Sequence, residues 1–381
     1  MPSIYFDFNA TTPLDREVRA AMEPFLDGIW GNPSSVHQIG RAARAALDNA
    51  RYRLAALWNS KPSEVVFTSG GTEANNLAVF GAARLRQSKG RHLVTSPVEH
   101  QAVLHAFEAL ARQEGYEVTY LPVDASGLVS PEDVLRALRP DTTLVSVMAA
   151  NNEIGTVQPV AQIGALCRER GVLFHTDAVQ AFGKLPFRDI HQFNADLVSV
   201  CAHKFHGPKG AGALYIRSPL LPVPVQVGGG HENERRAGTE NLAAIVGLVE
   251  AFARFVPEPV FPDDRLRLWT EQLATVATAL PGVTRRGHAT LRLSNTLAFS
   301  VTGTDSIVLM AGLDLEGVCA SSGSACSAGS LEPSHVLKAI GVPPAEANAL
   351  VRFSLGRSTA LEEVVRTAEL LPEVLRRVRR S

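Results

Sequence analysis

Cys326 stands in the run Ala320-Ser321-Ser322-Gly323-Ser324-Ala325-Cys326-Ser327-Ala328-Gly329-Ser330, which offers little to a hydrophobic core and little to hold one backbone shape. The placement predicts an exposed, mobile thiol, and an accessible thiol invites oxidation unless its reactivity is used. Lysine is scarce: of 37 basic residues only Lys61, Lys89, Lys184, Lys204, Lys209 and Lys338 are lysines. Lys204 follows the apolar run Leu197-Val198-Ser199-Val200, at a predicted strand end. Arginine keeps its proton and forms no imine, whereas a desolvated lysine can give up its proton and form one.

Asp177 closes the run Val172-Leu173-Phe174-His175-Thr176 one crossover earlier, where a carboxylate can pair with a protonated pyridine nitrogen and strengthen the ring as an electron sink. In Thr68-Ser69-Gly70-Gly71-Thr72-Glu73 two glycines lie between a strand and a helix start. Backbone N–H groups and the helix dipole there suit a phosphate, and the same residues suit a plain glycine turn capped by Thr72. Phosphate cradle, acid and amine at successive strand ends are together what pyridoxal phosphate (PLP) requires. His100, after Thr95-Ser96-Pro97-Val98-Glu99, can stack on a flat ring and handle a proton, or simply end a helix. Asn151 and Asn152 come after the strand Leu144 to Met148, where an amide can bond a ring hydroxyl or a substrate carboxylate.

The elements that must position these groups are short β-branched runs alternating with longer helical stretches. Strands are predicted at 64–68, 92–95, 117–120, 144–147, 172–175, 197–200 and 212–216, with helices at 73–86, 101–113, 131–138, 161–168 and 242–255. The alternation predicts an α/β fold, a mainly parallel sheet covered by helices. Ligands of such sheets gather at the edge where strands end in loops. Pro257-Glu258-Pro259-Val260-Phe261-Pro262 breaks the pattern, and the remainder of the chain reads as a smaller α+β unit, including strands 296–301, 317–320 and 350–354.

The 381 residues exceed what one core supports, which predicts two units. A composition 45% hydrophobic and 20% charged excludes a disordered chain. A net charge of -1, with the signs interspersed, gives no reason to expect nucleic acid or an anionic membrane. Arg376-Arg377-Val378-Arg379-Arg380 reads as the last turn of a helix, where cations suit the dipole. No apolar run is long enough to span a bilayer, and Ile4-Tyr5-Phe6-Asp7 opens without a leader, so a cytoplasmic location is expected. Cysteines at 167, 201, 319 and 326 lack disulfide or zinc spacing; Cys167 and Cys319 are expected in the core.

Tyr5-Phe6-Asp7-Phe8-Asn9-Ala10-Thr11-Thr12-Pro13, Gly31-Asn32-Pro33-Ser34-Ser35, Asn151-Asn152-Glu153-Ile154-Gly155, Ser321-Ser322-Gly323-Ser324-Ala325-Cys326 and Val351-Arg352-Phe353-Ser354-Leu355-Gly356-Arg357 resemble, in order and over nearly the whole chain, the PLP-dependent cysteine desulfurases with a long cysteine loop. The resemblance implies the PLP-dependent transferase fold type I: a seven-stranded sheet in a large unit, 14–256, and a small unit made of 1–13 and 257–381 that carries the cysteine loop. It implies that Lys204 holds PLP, Asp177 pairs with the pyridine nitrogen, His100 stacks on the ring, and Gln180 and Asn152 contact the ring oxygen and substrate region. Gly71, Thr72 and His203 are implied at the phosphate, with Thr239 reaching in from the second subunit of a homodimer. Arg352 is implied to clamp the substrate carboxylate. Cys201 stands where many members carry a serine bonded to the phosphate, and a thiol is a weaker donor. No metal is implied at the PLP site, although Cys326 could meet an iron–sulfur cluster during transfer.

The activity so implied converts L-cysteine to L-alanine, leaving sulfur on Cys326 as a persulfide for an acceptor or scaffold protein in iron–sulfur assembly or tRNA thiolation. The short tail after the last helix leaves the choice of partner open. Selenocysteine lyase and cysteine sulfinate desulfinase use the same machinery. A non-catalytic sulfur relay would not need Lys204, Asp177, His100 and Arg352, and a Cys-His hydrolase pairing Cys326 with His335 would need a more rigid nucleophile.

Overall fold

A computed structural model describes residues 3–261, 263–323 and 333–379. Its strands are β1 (Ile4–Tyr5), β2 (Val65–Thr68), β3 (His92–Thr95), β4 (Glu117–Tyr120), β5 (Thr142–Ser146), β6 (Leu173–Asp177), β7 (Leu197–Cys201), β8 (Gly212–Ile216), β9 (Val283–Arg286), β10 (Thr296–Val301), β11 (Val318–Cys319) and β12 (Leu350–Ser354). The large sheet has seven strands in the order β2-β8-β7-β6-β5-β3-β4. Pairings from β7 through β4 are parallel, and β8 is antiparallel to both its neighbours. Strand β8 therefore runs against the other six, whose C-terminal ends gather at one edge.

Side-chain alternation explains why these strands read as continuous apolar runs. Val94, Val145, Phe174, Val198 and Ala213 enter one core with the helices Gln38–Trp58 and Leu242–Phe255. Their neighbours Leu93, Leu144, Leu173, Leu197 and Leu214 enter a second core with the helices Gly71–Leu85 and Gln101–Glu114. A sheet covered on both faces favours apolar residues at successive positions, not only at alternate ones. Gly212 starts β8 opposite Thr68, and a Cβ there would lie 2.7 Å from the Gly70 backbone, so the register needs glycine.

Beyond residue 260, β12, β10 and β9 form an antiparallel sheet packed against the helices Asp263–Thr278 and Leu361–Val378. Its core draws Phe6 and Phe8 from the N-terminal segment together with Leu273, Phe299 and Phe353. That segment is a strap between the two sheets. β1 pairs with β11, the Phe8 N–H donates to the Ser354 carbonyl, and the Thr12 hydroxyl reaches the His203 carbonyl. Cys167 is buried as expected. Cys319 is not a core residue: it ends the two-residue β11 and is half-buried, because a strand paired on one side only leaves its last residue partly open. Arg376 and Arg377 close the last helix, as the sequence suggests, and Arg377 pairs with Glu316; Arg380 lies outside the described residues.

Candidate active site

The chain places β4 beyond β3 and then returns to put β5 on β3's other side. Such a reversal opens a crevice at the strand ends, because the segments that leave the two strands run in opposite directions. His100 and Asn152 flank it. Gly71, Thr72, His100, Asn152, Asp177, Gln180, Cys201, His203, Lys204 and Arg352 line one cavity of about 230 Å³.

Lys204 ends a short turn, Ala202–Lys204, directly after β7. Its Nζ donates to the carbonyls of Asn9 (2.7 Å) and Ala10 (2.8 Å), both on the strap. Burial pushes the amine down from 10.5 to about 8; Arg352 acts the same way, while Cys201 and Asp177 oppose it. A substantial neutral fraction is thus present near neutral pH, as a nucleophile or base requires. Asp177 ends β6. It accepts from Asn75 Nδ2 at 2.6 Å and from the Val179 N–H at 3.0 Å, which fix its carboxylate at the cavity wall.

The helix Gly71–Leu85 begins at the same edge, and no side chain caps its first turn. Its N-cap is Gly70 rather than Thr72, so the Thr72 hydroxyl is left to line the cavity. A Cβ at Gly71 would stand 3.0 Å from Val179 Cγ2 and 3.5 Å from Cys201 Cβ, so side-chain bulk at this position would crowd the cradle. Burial raises the Cys201 thiol above its usual range, leaving a neutral S–H. His203 is pushed down to about 3, first by burial and then by Lys204, and its Nδ1 is 3.1 Å from Thr11 Oγ1. A neutral ring can offer an anion one N–H but no charge.

His100 is the N-cap of the helix Gln101–Glu114, and its Nδ1 accepts from the Ala102 N–H at 3.1 Å, which fixes the tautomer with hydrogen on Nε2. Arg352, 1% exposed in the middle of β12, donates to Asp7 Oδ1 (2.6 Å), the Asn152 carbonyl (2.9 Å) and the Gly323 carbonyl (2.7 Å). Its Nε has no partner among the described residues. A guanidinium so held has a fixed plane, the condition for bidentate recognition of a carboxylate.

Thr239 is exposed and does not line this cavity. Cys326 lies outside the described residues. Sequence reasoning assigned no role to Asn9, Ala10, Asn75, Met148 and Val179, which also line the wall, nor to the buried Lys184 behind it. The scarcity of lysine that singles out Lys204 applies equally to Lys184, and was a usable signal.

The residues present fit PLP. They supply a buried amine, a carboxylate fixed by two donors, an uncapped helix start beside a hydroxyl, and a histidine of fixed tautomer in one cavity. Residues 4–366 match the family model described as Aminotransferase class-V. A cysteine desulfurase IscS of Dictyoglomus turgidum is 45% identical over 377 residues, covering 99% of this chain and 95% of that protein. Among solved structures, a NifS-like protein superposes with a TM-score of 0.90 at 35% identity, over 98% of this chain and 99% of the other. SspA in complex with cysteine superposes with a TM-score of 0.82 at 37% identity, over 94% and 100%.

Proposed function

The chain belongs to the class-V aminotransferase family and is a PLP-dependent cysteine desulfurase; from that premise we propose how its residues divide the work. The observation that carries the assignment of roles is the convergence of Lys204, Asp177 and Arg352, from distant parts of the chain, on one cavity.

When bound, PLP supplies an electron sink for the pair released at the substrate Cα. Lys204 would hold it covalently and would move the proton at the substrate Cα; its value of about 8 suits that task near neutral pH. Asp177 keeps the ring nitrogen protonated. Gly71 and Thr72, with the neutral His203 and Cys201, receive the phosphate. His100 faces the ring, Gln180 bonds the ring oxygen, Asn152 contacts the ring oxygen and substrate, and Arg352 takes the substrate carboxylate.

The Cys326 thiolate attacks the cysteine sulfur: an S–S bond forms, the Cβ–S bond breaks, and Cβ is protonated. The balance is one thiol and one L-cysteine giving one persulfide and one L-alanine. Thr239 serves the cavity of a second copy in a homodimer. This reading draws support from its exposure here and from its not lining the cavity of its own chain. The persulfide goes to an acceptor or scaffold protein in the cytoplasm, for iron–sulfur assembly or tRNA thiolation; no helix among the described residues is long and apolar enough to cross a membrane. We divide the chain into a large unit, 14–256, and a small unit, 1–13 with 257–381, a division supported by the separate core that Phe6, Phe8 and Phe261 join.

The test is a purified protein whose visible spectrum, alanine and sulfide are recorded with L-cysteine, beside Cys326→Ala. The variant should keep the cofactor band and its response to cysteine and lose sulfide release. Equal sulfide release from both proteins would remove Cys326 from the mechanism.

A further inference from the structure

Lys184 is 3% exposed, and its amine makes no bond to any carboxylate among the described residues. Its Nζ donates to two amide oxygens, Asn9 Oδ1 at 2.8 Å and Gln180 Oε1. Both amides are turned toward it by acceptors that hold their nitrogen ends. Gln180 Nε2 donates to the Asn9 carbonyl at 3.0 Å, and Asn9 Nδ2 donates to the Asn152 carbonyl at 3.2 Å and to Thr296 Oγ1 at 2.9 Å. With the nitrogen ends committed in this way, two buried carbonyl-type oxygens converge where only a donor can satisfy them. Asn295 Nδ2 reaches Asn9 Oδ1 as well, at 3.1 Å, whereas Lys184 is the donor to Gln180 Oε1 among the described residues.

The same Asn9 carbonyl that accepts from Gln180 also accepts from Lys204 at 2.7 Å. We propose that Lys184 is a positioning residue of the active site: by holding the side-chain oxygen of Gln180, it aims one Gln180 N–H into the cofactor cavity and the other at the Asn9 carbonyl that also accepts from Lys204. Burial and the positive charges of Lys204 and Arg352 hold the Lys184 amine well below its ordinary range. A neutral amine still carries two N–H donors, enough for both bonds, so the device adds no charge beside Lys204. The Phe261 ring, 5.3 Å from Nζ, closes the remaining side.

This inference rests on the assignment of Gln180 to the ring oxygen. The experiment compares the wild type, Lys184→Met, Gln180→Leu and the double variant, each loaded with PLP. Methionine fills much of the space without donating. In both single variants the visible cofactor band should move in the same direction, and the cofactor should leave roughly fivefold faster on dilution, about the effect of one hydrogen bond. The double variant should be no worse than Gln180→Leu, because Lys184 acts through that amide. An unmoved band in Lys184→Met, or losses that multiply in the double variant, would overturn the proposal. Should Lys184→Met fail to fold, Lys184→Gln keeps an NH2 group on a shorter side chain, with an acceptor oxygen beside it, and should give an intermediate band; a wild-type band with faster cofactor loss would overturn it too. A wild type that takes up no PLP refutes the assignment of the site itself, and is seen before any variant is compared.

Discussion

Glu99 offers the sharpest quantitative test of this site's electrostatics. It is fully buried between Ser96 and His100, and its Oε1 accepts from the Ser96 hydroxyl at 2.7 Å and the Met148 N–H at 2.8 Å. Its Oε2 has no partner among the described residues. Burial, with a smaller push from Asp177 against the lowering effect of those two hydrogen bonds, raises the carboxyl from 4.5 to about 8. The folded protein therefore keeps a proton that the unfolded chain loses above 4.5. The resulting stability is whole below that value and is lost as pH rises toward 8, at about 1.4 kcal/mol per pH unit. Across the full shift that amounts to about 5 kcal/mol, and between about pH 5.5 and about pH 7.5 to about 3 kcal/mol. Glu99→Gln keeps an oxygen for Ser96 and Met148 and removes the titration. Urea unfolding at the two pH values should show the variant gaining about 3 kcal/mol on the wild type at the higher one. Buried histidines such as His175 and His203, both held near 3, lose stability on the acid side in both proteins and cancel in the difference. A gap that does not change with pH would refute the reasoning.

Lys204, held near 8, should react with added PLP in the apoprotein at a rate that rises with pH to a midpoint there, because only the neutral amine is nucleophilic; stopped-flow absorbance giving a midpoint near the ordinary 10.5 would contradict the desolvated site. Arg352→Leu removes a buried donor from the Asp7 carboxylate and from the carbonyls of Asn152 and Gly323, so it should cost about 3 kcal/mol in unfolding stability and raise KM for cysteine at least tenfold. Cys201→Ser puts a stronger donor beside Gly71, and dialysis should show slower cofactor loss; unchanged retention would mean that position 201 does not meet the phosphate.

The large sheet is legible in the sequence because burial on both faces makes its strands nearly uniform apolar runs, and β3, β4, β8, β10 and β12 keep the bounds their composition predicts. The helix Gln38–Trp58 is faint by comparison, since its buried stripe includes Ala43, Ala50 and Ala55 along with Leu47, Leu54 and Trp58, and alanine is a weak periodic signal. Site residues at strand ends, such as Asp177 and Lys204, announce themselves by position. Asn9 does not: it meets Gln180, Lys184, Lys204 and Thr296 only through tertiary packing, 195 residues from Lys204 and 287 from Thr296 along the chain. Cys319 misleads because a strand two residues long, paired on one side, is too short to bury its end.

The strap also sets the order in which the cavity can be finished on the ribosome. Asn9 is made well before its partners Thr296 and Ser354, which follow it by 287 and 345 residues. Strand β1 likewise waits for β11. A nascent chain can carry a complete β7, and with it Lys204, while Asn9 and Ala10 still lack the sheet that holds them in place. The carbonyls that grip the lysine are therefore fully supported only after β10 and β12 have been made, and a chain halted before β12 lacks part of that support. The strap is thus made well before the strands that seat it, and a cofactor held by Lys204 in its native setting needs both.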